Sequence, residues 1–317
     1  MAILNLPDEL LLDIFGHLFT QPPSTIPSDP ETKRHRPDGA ALPKVSRRFH
    51  RLATPGLYTH LDVNFNDSPS SATQLHRTLS EHPSLRPYCR SLRLTLPDPD
   101  ADAAERDGDM TNEELSQAAT SMATDITTWL SNTRDLSITG YFTRAETHAA
   151  SWALVQHAGR NMPQLETLSL GKQVWVERVC ELLSEFKQLR TLEIGLGCVV
   201  EDIIPPTPEL VGSSAVTSLS IDYLLAVPGN LDRLLLIPAA LEHFAFRGMA
   251  PGCYWSWPLA GMIEALEPHR ESLRTFKIAS ARASGNQRDP ETLEDQVQDI
   301  DLSGFVRLGG IEFLAAP

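Results

Sequence analysis

Cysteine is scarce in this 317-residue chain, and Cys89, Cys180, Cys198 and Cys253 form no Cys-x-x-Cys pair. That spacing argues against the common zinc and dithiol motifs. All four are expected to be reduced and mostly buried, as in a cytoplasmic or nuclear protein. No apolar run is long enough to span a membrane: Leu234–Leu241 is short and contains Pro238. No basic leader opens the chain, because Asp8 and Glu9 interrupt its first apolar pattern. Positive charge is also in short supply, with 27 Lys plus Arg against 41 Asp plus Glu and a net charge of −14. Nucleic acids and anionic membranes want a basic face, so neither is an expected partner.

Catalytic signatures are missing too. There is no Gly-x-Ser-x-Gly elbow, Walker loop, His-Glu-x-x-His pair or dinucleotide fingerprint. The ten histidines are scattered. The expectation is therefore a non-enzyme without catalytic residues, metal or cofactor. The apolar fraction of 41 % is nevertheless ample for a sizeable core, and the length suits one or two domains.

The first organised segment is Leu6-Pro7-Asp8-Glu9-Leu10-Leu11-Leu12-Asp13-Ile14-Phe15. Pro7 suits a first helical turn, and Asp8 and Glu9 set negative charge at the positive end of the dipole. Leu10, Ile14 and Leu18 share a stripe that Leu11 and Phe15 widen. A stripe this wide must face more than one neighbour. A flexible insert of Pro, Ser and charged residues follows, at about 21–39. Next, Leu42, Val45, Phe49 and Leu52 recur at the period of one helix face. Residues 33–51 hold seven basic side chains and one acid.

These two segments, in this order, resemble an F-box: Leu-Pro with an acidic residue and a Leu/Ile-rich helix, then Val-Ser-Arg-x-aromatic ending in Leu-Ala. Leu57-Tyr58 stands where the family often has Leu-Trp or Leu-Tyr. The insert is longer than usual, and Phe49 replaces the commoner Trp. The resemblance covers about residues 3–61 and implies a helical module that docks on Skp1 and, through it, on the cullin of an SCF ubiquitin ligase. It assigns one anchor line to Leu6, Pro7, Leu10, Ile14 and Leu18. The second line is Leu42, Val45, Phe49 and Leu52, shared between the module's core and the partner. Arg47, Arg48 and Arg51 are expected to meet acid on the partner's rim.

After residue 55 the phrase apolar-x-x-apolar-x-apolar recurs nine times. Its middle residues are Leu61, Leu92, Leu136, Leu168, Leu192, Leu219, Phe244, Phe276 and Ile311. Tyr58 and Thr133 are its weak openings. The phrase is similar to a leucine-rich repeat, whose usual period is about 20–29 residues. The intervals here run from 24 to 44, and the usual Asn or Cys is replaced by Gln173, Gly197, Leu224, Met249 and Ala281. Helical patterns lie between phrases: Leu115 to Trp129, Val176 to Phe186, Leu259 to Leu266 and Leu293 to Ile300. Strand alternating with helix implies parallel strands, and units that cannot bury their own face imply a stack.

The expected architecture is α/β: an N-terminal helical F-box (1–61), then an irregular leucine-rich-repeat-like solenoid (62–317) with parallel strands on its concave face. A doubly wound sheet is the alternative. Alternate strand residues should point outward. Thr191, Glu193, Ser220, Asp222, His243, Arg247 and Lys277 are the candidates for contacting a protein substrate. Trp255 and Trp257 either join that surface or cap the core. Residues 98–114 carry eight acids and one base and read as an acidic loop. Residues 289–301 carry six acids and no base, on the solvated face of a helix. The last phrase lies close to Pro317, so an exposed core edge is expected there.

Two functional readings result. The first is a substrate-recognition adaptor of an SCF ligase. The second is a scaffold that uses the solenoid, or Skp1 binding, outside a ligase. A hydrolase or transferase on the same sheet would need a deep polar pocket.

Overall fold

The computed structural model describes residues 6–19, 45–66, 69–97, 112–140, 142, 149–171, 174, 176–183, 185–195, 208–222, 231–247, 259–279, 305 and 311–313. All nine apolar phrases form strands: β1 (His60–Asn64), β2 (Ser91–Thr95), β3 (Asp135–Thr139), β4 (Thr167–Gly171), β5 (Thr191–Ile194), β6 (Ser218–Asp222), β7 (His243–Arg247), β8 (Thr275–Ala279) and β9 (Ile311–Phe313). They make one parallel sheet in the order β1-β2-β3-β4-β5-β6-β7-β8-β9. A doubly wound sheet reverses its order at a switch point; this one never does. The fold is a solenoid-like α/β stack.

The register follows the sequence phrase. Leu61, Leu92, Leu136, Leu168, Leu192, Leu219, Phe244, Phe276 and Ile311 are successive cross-strand partners. A row of backbone carbonyls just before the strands sets this level. The C=O groups of Arg90, Arg134, Glu166, Arg190, Thr217 and Glu242 each accept two N–H bonds from the next unit, all within 3.1 Å. Six repeats of one geometry start β3 to β8 at the same height, which suppresses the one-residue slip that would turn apolar side chains outward.

The helices are α1 (Asp8–Phe19), α2 (Arg47–Thr59), α3 (Pro69–Glu81), α4 (Asn112–Trp129), α5 (Ala149–Asn161), α6 (Val176–Leu183), α7 (Leu231–Leu236) and α8 (Leu259–Leu266). From α3 onward, each packs on one face of the sheet. Leu79, Ile126, Val155, Leu183, Leu235 and Leu266 share a single apolar core with the inward strand residues. Residues alternating with these on the strands are half-buried or exposed, so the opposite face is open. The head has a separate small core of Leu11, Phe15, Phe49, Leu52 and Ala53, with Leu6 packed against it.

Several expectations need correction. The helix that holds Phe49 and Leu52 begins at Arg47, and Leu42 lies outside the described residues. Ser46 is extended, and its hydroxyl accepts the Phe49 N–H at 3.1 Å, so it caps α2 and leaves Val45 outside the helix. Leu57 and Tyr58 lie in α2, which runs straight into β1. The acidic segment ends inside α4, which opens at Asn112. The buried residues of α4 are Ala119, Ala123, Ile126 and Thr127, with Leu130 buried just past its end, while Leu115, Met122 and Trp129 are only half-buried. Residues 98–111, the insert at 21–39, the Leu293–Ile300 stripe, Cys198 and Cys253 lie outside the described residues.

Thr133 takes an apolar place because its hydroxyl is satisfied. It is fully buried, and its Oγ1 donates to Cys89 Sγ at 3.7 Å. The Cys89 thiol donates onward to the Ser91 carbonyl. Burial pushes that thiol up to about 11, so it stays protonated at neutral pH. Cys89 and Cys180 are both buried and form no disulfide among the described residues, as expected.

Close packing also explains one glycine. A Cβ on Gly159 of α5 would stand 3.0 Å from two ring atoms of Phe186. Gly159→Ala is expected to cost about 1–3 kcal/mol through overpacking, although alanine is the better helix former. A urea unfolding midpoint equal to or above wild type would show that the ring yields freely.

Candidate docking surfaces

The head is built by fastening its two segments together. Asp8, in the first turn of α1, receives Arg48 Nε at 2.7 Å on one oxygen and Arg51 Nη2 at 2.8 Å on the other. Arg48 Nη2 also donates to the Leu6 carbonyl at 2.6 Å. The Leu-Pro-Asp turn and the Arg-x-x-Arg turn are thus joined across 40 residues of sequence. Exposed ion pairs are individually worth about 1 kcal/mol or less, but these share one carboxylate and set the crossing of α1 over α2. Arg48 and Arg51, expected to meet acid on a partner's rim, both pair with Asp8 of the same head, and the Arg51 side chain stays exposed. Arg47 is exposed.

Fastening the helices this way divides the apolar residues. Leu11, Phe15, Phe49 and Leu52 turn inward, with the Phe15 and Phe49 rings edge-to-face at 5.3 Å. Leu10, Ile14 and Val45 turn outward and are 51 %, 37 % and 57 % exposed. Leu12 is exposed on the other flank of α1, a position that sequence reading did not single out. Four of the six large apolar side chains left exposed among the described residues therefore sit on the head; the others are Tyr88 and Val211. Pro7 is exposed beside them and Leu6 is half-buried. The side chain of Leu18, and Leu42 altogether, lie outside what is described.

The second surface is the open sheet face. Its central row, read across the strands, is Asp62, Arg93, Ser137, Ser169, Glu193, Ser220, Ala245, Lys277 and Glu312. Thr191, Glu193, Ser220 and Lys277 are half-buried there, and His243 is exposed with Nδ1 2.8 Å from Thr275 Oγ1. Asp222 and Arg247, expected just past the strands, are the last residues of β6 and β7 and are paired in register. Trp255 and Trp257 lie outside the described residues. Charge is present at the start of this face as well, where Asp62 lies 4.0 Å from Arg93. The outward-pointing position of Asp62 on β1 was the available signal.

Neither a family model nor a curated protein matches the chain.

Proposed function

We propose that this chain is a substrate-recognition adaptor of an SCF ubiquitin ligase. Its head docks on Skp1, its sheet presents a protein substrate, and it carries out no bond chemistry of its own. One observation carries the reading. The head retains a complete small core while Leu10, Ile14 and Val45 stay exposed beside it. Burying apolar surface of this kind is favourable by about 25 cal/mol per Å², so the face gains by acquiring a cover. The resemblance of the two segments to an F-box supplies the identity of that cover. The helical repeat units then act as a rigid arm between ligase and substrate.

The test is recovery of purified Skp1 by the full chain. Leu10→Asp with Ile14→Asp is expected to reduce recovery about tenfold or more, by placing charge in the contact. Both side chains are exposed, so the thermal midpoint should change little. Equal recovery by wild type and the double variant would sink the docking proposal. Recovery of Skp1 without cullin from cell extract would instead favour a scaffold acting outside a ligase.

A further inference from the structure

The inward face of α1 carries a charge as well as apolar residues. Asp8, Leu11 and Phe15 are spaced by three and four, so they lie along one stripe of the helix. Leu11 and Phe15 enter the head core, while the Asp8 carboxylate takes Arg48 Nε on one oxygen and Arg51 Nη2 on the other. Both arginines stand on α2, which also supplies Phe49, Leu52 and Ala53 to that core. Arg48 Nη2 further holds the carbonyl of Leu6, just before α1 begins.

Apolar burial alone discriminates poorly between two faces of α1. Leu10 and Ile14 form a second apolar pair with the spacing of Leu11 and Phe15, one residue earlier in the chain. A turn of α1 by about 100° about its axis, one residue, would bury that pair and carry Leu11 and Phe15 away from α2. The loss in apolar burial is only the difference between a phenylalanine and an isoleucine. The same turn would take Asp8 away from Arg48 and Arg51. The Asp8 and Arg48 side chains are half-buried, so their attraction is screened less than that of a pair in open water. Charge thus specifies an orientation that hydrophobicity leaves nearly degenerate, as a polar residue does when it fixes the register of a coiled coil.

We propose that Asp8 is a positioning residue for docking. It selects the face of α1 that meets α2, and so aims Leu10 and Ile14 at the partner without touching the partner itself. The proposal rests on the reading that the head docks on Skp1, and it names the residue that sets the geometry of that contact.

The test uses the full chain. Asp8→Asn should reduce recovery of purified Skp1 about fivefold, and Asp8→Glu, which keeps the charge, should restore most of it. The α1 amides should stay protected from hydrogen exchange in both variants, because the head core is intact. Glu81→Gln removes the same charge from the exposed Arg77–Glu81 pair of α3 and should leave recovery unchanged. With Skp1 recovered by wild type, any of four results would overturn the proposal: equal recovery by Asp8→Asn, no gain from Asp8→Glu over Asp8→Asn, an equal loss in Glu81→Gln, or unprotected α1 amides in Asp8→Asn. A second measurement needs no Skp1. Spin labels are placed on Gly16→Cys in α1 and His50→Cys in α2, in a background of Cys198→Ser and Cys253→Ser. A Cβ at Gly16 meets nothing within 4 Å and His50 is exposed, so the labels leave the head core alone. The label-to-label distance should be narrowly distributed with Asp8 or Glu at this position and broad or two-peaked in Asp8→Asn. The same distribution in all three would overturn the proposal. No Skp1 recovery by wild type, with the label contrast intact, would remove the adaptor reading and leave the positioning role of Asp8 within the head.

Discussion

Replacing His269 with alanine is expected to destabilise the chain by about 3–5 kcal/mol, one of the largest effects available from a polar residue here. His269 is 3 % exposed, in the turn Glu267–His269 after α8. Its Nδ1 accepts the Leu241 N–H at 3.3 Å, and its Nε2 donates to the Leu235 carbonyl at 2.5 Å. One ring therefore joins the end of α7 to the start of the β7 unit. Alanine would leave a buried donor and a buried acceptor unmatched, each costing about 1–3 kcal/mol, and would add a cavity. The same geometry fixes the sign of a pH effect. The accepting Nδ1 must be unprotonated, and burial lowers the pKa, although the bond to Leu235 opposes that. Above about pH 6.5 both folded and unfolded forms are neutral, and the contribution is complete. As the pH falls through that value the unfolded chain takes up the proton first, so stability declines. Urea midpoints from pH 8 to pH 5 should show this decline, and His269→Gln should flatten it. A midpoint for His269→Ala close to wild type, or an equal slope in His269→Gln, would contradict the assignment.

Phe15→Ala is the second large effect. Truncating a buried phenylalanine costs about 3–5 kcal/mol, and Phe15 belongs to a core of only five side chains. Cores of that size have little stability to spare. We expect the α1 amides to lose hydrogen-exchange protection and Skp1 recovery to fall with them, while the strands from β2 onward stay protected. This separates Phe15 from Leu10 and Ile14, whose replacement should reduce recovery with α1 still protected. Persistent protection of α1 in Phe15→Ala would show that the head is held by something other than its own core.

The strands were legible because their signal is local and repeated. Nine short phrases carried the same alternation, so even Thr133 and Tyr58 could be placed by analogy with their neighbours. The helices were less so. Neither α3, rich in Ser and Thr, nor α5, where the Trp152, Val155 and Ala158 stripe is thin, declared its period, and both owe their place to packing on the sheet. The start of α2 was misplaced because the apolar spacing from Leu42 runs through Ser46, where a single side-chain hydrogen bond decides the boundary. At the head, the apolar residues could be found from sequence, but their division into core and surface could not. Leu10 and Leu11 are chemically identical, and which one faces α2 is set by how the two helices meet, through the shared core and the Asp8 link to Arg48 and Arg51. That link spans 40 residues, beyond the reach of any local pattern.

The consecutive strand order also bears on how such a chain can change length over generations. The successive phrases are 24 to 44 residues apart, yet all meet the same register. Extra residues lengthen only the route from one strand to the next and leave the carbonyl row that aligns the strands undisturbed. Each unit asks of its neighbour only a parallel edge and two N–H groups. Duplication, loss or expansion of a unit thus changes the extent of the open face without redesigning the rest, and the surface offered to partners can be altered one strand at a time.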